Sequence, residues 1–249
     1  FMKSDWRVGS GSGQPGSTDS LVRRDTVGLP YVPAKTMTGM WRDACERLAF
    51  GLDNGIIGDW SRWVDVLFGD QPSLAEEAVV AAPRASMVSI RPLRLPKPLR
   101  DALNDRPQVA AALKFVKPGI KVNPATGTAL DDHLRFEEMV RGGTVLEGRC
   151  TLDFHGTEEQ QRAAFALLVV GSRFVERVGG GRRRGSGRCE LTLTTSDGDS
   201  LQADISVDEW ITWLRDKPVA PELPAPRGTG ATNESRSGLA ENDGLGERW

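Results

Sequence analysis

The stretch Cys150-Thr151-Leu152-Asp153-Phe154-His155-Gly156-Thr157-Glu158-Glu159-Gln160 changes its period in the middle, and that change sets the fold class. Up to Phe154, apolar and polar residues alternate. Cys150, Leu152 and Phe154 fall on one side, and Arg149, Thr151 and Asp153 on the other, the pattern of a half-buried strand over 144–154. At Thr157 a hydroxyl followed three residues later by Gln160 makes a capping box, and Phe165, Leu168, Val169 and Val175 then recur at helical spacing. The helix stops near Gly179. Residues 187–195 alternate again with Cys189, Leu191 and Leu193 inward, so they form a strand.

Upstream, residues 1–8 make a short first strand, and the chain reads as a fragment or as one whose start is misplaced. Residues 9–28, with five glycines, make a long loop. Leu29-Pro30-Tyr31-Val32-Pro33 is held extended by two prolines. A helix over 36–52 places Met37, Met40, Trp41, Ala44, Cys45, Leu48 and Ala49 on one face and Arg42, Asp43, Glu46 and Arg47 on the other. Residues 53–86 carry an apolar cluster around Trp60 and Trp63, and 87–95 reads as a strand. Residues 99–116 read as a helix broken at Pro107, and 117–143 as turns of mixed charge. Ser206-Val207-Asp208-Glu209 is a second capping box opening a short helix.

The order β, α, β, β, α, β predicts an α+β fold, the ferredoxin-like arrangement shared with RNA-recognition (RRM-like) modules. It spans 1–217, with a helical insertion at about 53–86 and a projecting thumb at about 96–143. From 218 to 249 the composition turns to Pro, Gly, Ser and charges, a disordered tail or linker.

The 249 residues carry a formal net charge of -2, which argues against a protein that coats nucleic acid non-specifically but permits a local basic groove. No apolar run is long enough to span a membrane and no signal peptide is visible, so the protein reads as cytoplasmic with no membrane partner. Cys45, Cys150 and Cys189 lie far apart without zinc-type spacing and read as buried free thiols. His133 and His155 are isolated and read as surface histidines.

Charge concentrates in Gly179-Gly180-Gly181-Arg182-Arg183-Arg184-Gly185-Ser186-Gly187-Arg188. Glycines expose backbone N–H groups, and guanidinium groups are planar permanent donors suited to phosphate oxygens. Arg182, Arg183, Arg184 and Arg188 are therefore the leading anion-binding candidates, with Arg173 and Arg177 as extensions. Lys35, Thr36 and Arg42, at the start of the first long helix, read either as phosphate contacts or as solvated groups.

Three segments together resemble the RAMP superfamily of CRISPR-associated proteins. The first is Gly9-Ser10-Gly11-Ser12-Gly13 continuing to Asp25. The second, Gly28-Leu29-Pro30-Tyr31-Val32-Pro33-Ala34-Lys35-Thr36-Met37-Thr38-Gly39-Met40-Trp41-Arg42, is similar to the family's G-x-P-Y-I-P-G-S-S-L-K-G pattern. The third is the Gly/Arg loop. Residues 117–138 are similar to a segment of type III backbone subunits. Ala34-Lys35 stands where the family commonly has Gly-Ser, and Thr38 where it often has lysine.

The resemblance implies a subunit of a type III effector complex that binds guide RNA and cleaves complementary target RNA in antiviral defence. Its implied partners are guide RNA, target RNA, other RAMP subunits and the large subunit. The RNA-binding candidates are then Lys35, Thr36, Arg42, Lys117, Lys121, Arg182, Arg183, Arg184 and Arg188. The position matching the family's catalytic aspartate is Asp19. RNA supplies its own 2′-hydroxyl nucleophile, so a loop carboxylate acts by holding a divalent metal, Mg²⁺ in the first instance, or by accepting a proton. The protein is an endoribonuclease if Asp19 serves in that way. Alternatives are a non-catalytic guide-binding scaffold and a guide-precursor processing endoribonuclease. A dinucleotide enzyme is disfavoured, since no full strand precedes the Gly/Ser run and no helix follows it.

Overall fold

Helix α1, Ala34–Leu52, buries Met37, Trp41, Ala44, Cys45, Leu48 and Ala49 along one stripe, as the period requires. The computed structural model describes residues 1–14, 17–69, 84–194, 206–216 and 219–221, with the backbone alone for 131–133. Helix α5, Glu158–Arg173, packs along α1, and the Trp41 Nε1–H donates to Leu168 O at 3.1 Å between them. Its capping box is formed: Gln160 N–H donates to Thr157 Oγ1 at 3.2 Å and Thr157 N–H to Gln160 Oε1 at 3.0 Å.

Helix α2, Asp59–Phe68, comes from the stretch read as a helical insertion, yet its Trp60, Trp63, Val64, Val66, Leu67 and Phe68 are buried in the main core. The rest of that stretch, 70–83, lies outside the described residues. Helix α6, Val207–Asp216, opens with the second expected capping box, Glu209 N–H to Ser206 Oγ at 3.1 Å and Ser206 N–H to Glu209 Oε2 at 3.0 Å. Part of the expected tail is docked. Trp63 Nε1–H donates to Val219 O at 2.6 Å, Gln160 Nε2–H to Ala220 O at 3.4 Å, and Pro221 is buried. Residues 218 and 222–249 lie outside the described residues.

The strands depart from expectation in two ways. First, the stretch read as a helix broken at Pro107 is indeed two short helices, α3 (Lys97–Asn104) and α4 (Pro107–Ala112), but from Lys114 the chain runs into a long hairpin. Its arms are β2 (Lys114–Val122) and β3 (Ala129–Val140), antiparallel with Lys114 opposite Val140 and Ile120 opposite Leu134, and with a register shift before Val122. The outer part of β2 is exposed on both faces, so no core imposes a period-2 pattern on its sequence, and Pro118-Gly119 resembles a turn.

Second, regular pairing elsewhere is limited to β1 (Val88–Ile90) against β4 (Cys150–Leu152), antiparallel with Val88 opposite Leu152. The expected four-stranded sheet is two two-stranded sheets linked by isolated bridges. Residues 1–8 lie between two partners. Trp6 N–H donates to Val140 O at 2.9 Å and Met2 N–H to Thr144 O at 2.9 Å on one side; Lys3 N–H donates to Arg188 O at 2.7 Å on the other. Of 187–195, only isolated bridges form, and Thr195 lies outside the described residues.

Cys45 alone is a buried thiol, and burial pushes its pKa up. Cys150 is exposed and Cys189 half-buried, because both border an open groove where the sheet was expected to continue. Among the described residues no helix is long and apolar enough to cross a membrane.

Candidate nucleic-acid interface

The Gly/Arg loop is fastened to the first strand at two glycines. Gly179 has φ 81°, and Gly180 N–H donates to Arg7 O at 2.8 Å. A Cβ on Gly179 would fall 1.9 Å from that carbonyl oxygen. Gly187, at φ 76°, donates its N–H to Asp5 O at 2.8 Å and accepts from Val178 N–H at 2.8 Å, and a Cβ there would lie 2.0 Å from Val178 O. Between these anchors Arg182–Arg184 forms one 3₁₀ turn bracketed by left-handed Gly181 and Gly185.

Arg182, Arg183, Arg184 and Arg188 are all exposed, and among the described residues no carboxylate pairs with them. Arg177 is half-buried beside this patch and lines a groove with Arg182 and Arg183. Its Nη1–H donates to Arg182 O at 3.0 Å and braces the turn. Arg173 lies within 4.0 Å of Glu190.

The loop forms one wall of a groove whose other wall is the hairpin. Gly179, Gly180, Gly181 and Arg182–Arg184 face Lys117, Pro118, Gly119, Glu137 and Met139, with Arg7 between. Arg7 Nη1 lies 3.1 Å from Glu137 Oε1, an ion pair without hydrogen-bond geometry. Lys117 is thus brought to the arginines, whereas Lys121 sits farther out on the exposed arm. On its other side the loop borders Met40, Asp43 and Arg47 of α1, the helical stripe to which Thr36 also belongs. Lys35 is exposed on a different stripe and lines neither groove.

Arg42 corrects the sequence-based expectation. It is 8 % exposed and holds three oxygens: Glu46 Oε1 at 2.7 Å, Asp65 Oδ1 at 2.6 Å and the carbonyl of Gly69. Helix α2 covers the face that the α1 pattern left polar, so this guanidinium ties α2 to α1 and is turned away from solvent. Arg42→Ala is expected to destabilise the fold by about 2–3 kcal/mol, below the full cost of breaking a buried pair because Glu46 and Asp65 regain water. Urea unfolding checks this, and RNA affinity of the folded variant should stay within about twofold.

Asp19 lies on the opposite side of β3. Its N–H donates to Phe136 O at 2.9 Å, and its Oδ2 accepts Phe136 N–H at 2.6 Å. The side chain is exposed in an open cleft with Gly13, Gln14, Ser17, Thr18, Leu134 and Phe136. Ser20 bridges Glu137, the residue that borders the arginine groove. The aspartate cleft and the arginine groove therefore meet at two consecutive β3 residues. The run 9–13 is folded against 21–22, with Ser10 N–H donating to Leu21 O at 2.9 Å and Leu21 N–H to Ser12 O at 3.0 Å, and among the described residues no helix follows it before Ala34.

Sequence reasoning passed over Glu138. Its Oε2 accepts Val22 N–H at 3.0 Å and its Oε1 accepts Arg24 Nη2–H at 2.6 Å, pinning the loop after Asp19 to β3. Burial pushes this carboxyl up, but the Arg24 and Val22 hydrogen bonds and the nearby charges of Arg24 and Lys114 bring it below the usual glutamate value. A depressed folded value adds stability above the unfolded value, about 4.3, and loses it as pH falls through the folded one. The stability gap between wild type and Glu138→Gln should be constant near neutrality and shrink in acid, as read by urea unfolding against pH. Arg7 was also missed, although its place between buried Trp6 and Val8 marks it as outward-facing.

For the divalent ion expected from sequence, the cleft offers one carboxylate, that of Asp19. Among the described residues no three His, Cys, Asp or Glu side chains cluster, and the one carboxylate in the cleft already accepts a backbone N–H. His155 is exposed beside Asp153 at 3.2 Å, and His133 has no described side chain. Asp25 accepts from Val27 and Leu29 N–H at 3.1 and 2.9 Å and is a turn residue.

The family model of the RAMP superfamily matches residues 2–190, a span that contains both the arginine groove and the Asp19 cleft. The chain belongs to the RAMP superfamily. No curated protein matches this RAMP protein. Its fold is similar to a chain of the type III-B Cmr-beta complex in the apo state, with TM-score 0.51 and 14 % identity over 79 % of this chain and 95 % of that one. It is also similar to a chain of Cmr-beta bound to cognate target RNA, with TM-score 0.55 and 13 % identity over 76 % and 93 %.

Proposed function

We propose that this RAMP protein is a backbone subunit of a type III CRISPR effector complex, holding guide RNA in the groove between the Gly/Arg loop and the hairpin. The observation that carries this reading is the set of exposed arginines that have no carboxylate partner among the described residues, placed around bare glycine backbone. Such a surface fixes a ribose-phosphate chain without reading bases, which suits a protein that accepts any guide. The fold likeness to two Cmr-beta chains supports it, one of them in a complex bound to target RNA. So does the sequence of backbone bridges: 187–190 neighbours 1–8, 1–8 neighbours 139–144, and the continuation of that stretch, 147–152, neighbours 88–94, the order of a ferredoxin-like sheet. Other RAMP subunits and the large subunit are its proposed partners. Co-purification with sequencing of bound RNA tests the reading; RNA of random sequence, or none, would overturn it.

We further infer that Asp19 serves cleavage of target RNA. One oxygen fastens the residue to β3, and the exposed carboxylate keeps its other oxygen for a ligand in the cleft. In this reading Asp19 takes the proton of the 2′-hydroxyl as that oxygen attacks the adjacent phosphorus. The 5′-oxygen leaves and is protonated by water, giving a 2′,3′-cyclic phosphate and a 5′-hydroxyl. Asp19→Asn keeps an acceptor for Phe136 N–H and removes the base; Asp19→Ala removes both. A positioned general base contributes about 10²–10⁴ in rate. Asp19→Asn should therefore cut complementary RNA at least 100-fold more slowly while binding guide normally. Retained cleavage in Asp19→Asn would assign Asp19 a structural role and leave the subunit a scaffold.

A further inference from the structure

The groove between the Gly/Arg loop and the hairpin is cationic with one exception. Lys117 and Arg182–Arg184 face it, and Glu137 is the one carboxylate among its described lining residues. A surface that holds only phosphates loses affinity by carrying a carboxylate, since like charges repel at short range. Glu137 is nevertheless firmly placed. Its backbone pairs with Lys117 across the hairpin and bridges Ser20 on the other side, so β3 sets where its side chain stands.

Arg7, its neighbour, does not account for it. Arg7 Nη1 lies 3.1 Å from Glu137 Oε1 yet makes no hydrogen bond. No other described residue donates a hydrogen bond to this carboxylate, and the Glu137 side chain is 37 % exposed. Arg7 itself is held against the glycine wall, with Nε and Nη2 each 3.7 Å from where a Cβ of Gly180 would stand. The guanidinium thus offsets the charge of Glu137 and leaves its lone pairs open. An ionised carboxylate has acceptor sites only, so the partner it lacks is a donor. The backbone of an RNA strand carries one kind of donor, the 2′-hydroxyl; its phosphate and ring oxygens are acceptors, and deoxyribose has no hydroxyl there.

We propose that Glu137 accepts a hydrogen bond from a ribose 2′-hydroxyl and so makes the groove select RNA over DNA. The inference rests on guide RNA lying in this groove, and it adds a group that reads the sugar where the arginines hold only phosphate. The Arg7–Glu137 pair carries no net charge, so RNA meets an acceptor there without net repulsion. DNA covers the same carboxylate with nothing to donate, and the acceptor loses water without replacement. A hydrogen bond to a charged acceptor is among the stronger ones, so this one contact should discriminate by about tenfold or more.

The test measures, by fluorescence anisotropy, binding of the full chain to three single strands of one base sequence: RNA, DNA, and RNA with fluorine in place of each 2′-hydroxyl. Fluorine keeps a ribose-like sugar pucker and cannot donate, so it separates the hydroxyl from the shape of the sugar. Wild type should bind RNA about tenfold or more tightly than either other strand, and in Glu137→Ala the ratio of RNA to fluoro-RNA affinity should fall to within about twofold. Glu137→Gln, which keeps a carbonyl acceptor without the charge, should fall between them. Equal binding of RNA and fluoro-RNA by wild type overturns the proposal with no variant needed, and so does a preference that survives Glu137→Ala. The triple alanine variant at Arg182, Arg183 and Arg184 keeps this failure apart from failure of the groove itself. If the triple variant loses RNA affinity while the sugar preference is indifferent to Glu137, the 2′-hydroxyl contact alone is wrong. If the triple variant binds RNA as wild type does, RNA does not lie in the groove and both readings fall.

Discussion

Replacing Arg182, Arg183 and Arg184 together by alanine should lower affinity for the proposed guide RNA about a hundred- to thousandfold, since a hydrogen bond to a charged group contributes roughly 1.5–3 kcal/mol and some of it is regained by neighbours. The fold should not notice. All three side chains are exposed, no carboxylate depends on them, and the turn they occupy is held by backbone bonds and by Arg177 rather than by their guanidinium groups. Loss of affinity should be uniform across guide sequences, because contacts to the ribose-phosphate chain carry no base information. The salt dependence should flatten as well: each single-strand phosphate neutralised contributes about 0.7 to the slope of log affinity against log salt, so the triple variant loses about 2. Fluorescence anisotropy with two unrelated guides at several salt concentrations measures both quantities. Unchanged affinity would remove the RNA from this groove, and a loss confined to one guide would replace a phosphate contact by base readout.

Gly187→Ala is the second large effect, and it acts on the fold before it acts on RNA. At φ 76° an L side chain is strained, which costs roughly 1–2 kcal/mol by itself. The added Cβ would also stand 2.0 Å from the backbone oxygen of Val178, whose N–H is bonded to Gly187 O. Relief requires giving up the Gly187–Asp5 or the Val178–Gly187 bond, so the total should reach about 3–5 kcal/mol, the range in which single substitutions unfold marginal domains. Gly185→Ala is the internal comparison. It shares the left-handed backbone, φ 85°, but nothing lies within 4 Å of its added Cβ, so it should cost only the conformational term, roughly 1–2 kcal/mol. Thermal unfolding of the two variants separates strain from collision, and comparable losses would show that conformation alone sets the cost.

The helical half of the fold was legible because its signals are local. Thr157 with Gln160 and Ser206 with Glu209 declare helix starts within four residues, and both boxes are formed. The face of α1 from Met37 to Ala49 was legible because a core selects period 3.6. The hairpin was not, because alternation records burial and most of β2 has none. Arg42 was misassigned for the complementary reason. Its pattern among Asp43, Glu46 and Arg47 is that of a water-facing side, and only the packing of α2 turns it inward. The candidate site divided in the same way. The Gly/Arg loop announces itself by composition. Glu138 and Arg7 act through partners more than a hundred residues away, which spacing along one chain does not reveal.

The long hairpin has a mechanical consequence. Its root is fixed where Glu138 grips Arg24 and where Lys114 Nζ donates to Gly28 O at 3.4 Å, while Val116, Ile120, Val122 and Leu134 toward its tip are about half exposed. It is a cantilever: a stiff beam clamped at one end. A two-stranded ribbon standing alone is marginal in water, so the outer rungs depend on whatever lies against them for their rigidity. Phe136, which holds the Asp19 clasp, and Glu137, which borders the arginine groove, are consecutive residues of this hairpin, so any displacement of β3 there bears on both chemical groups at once.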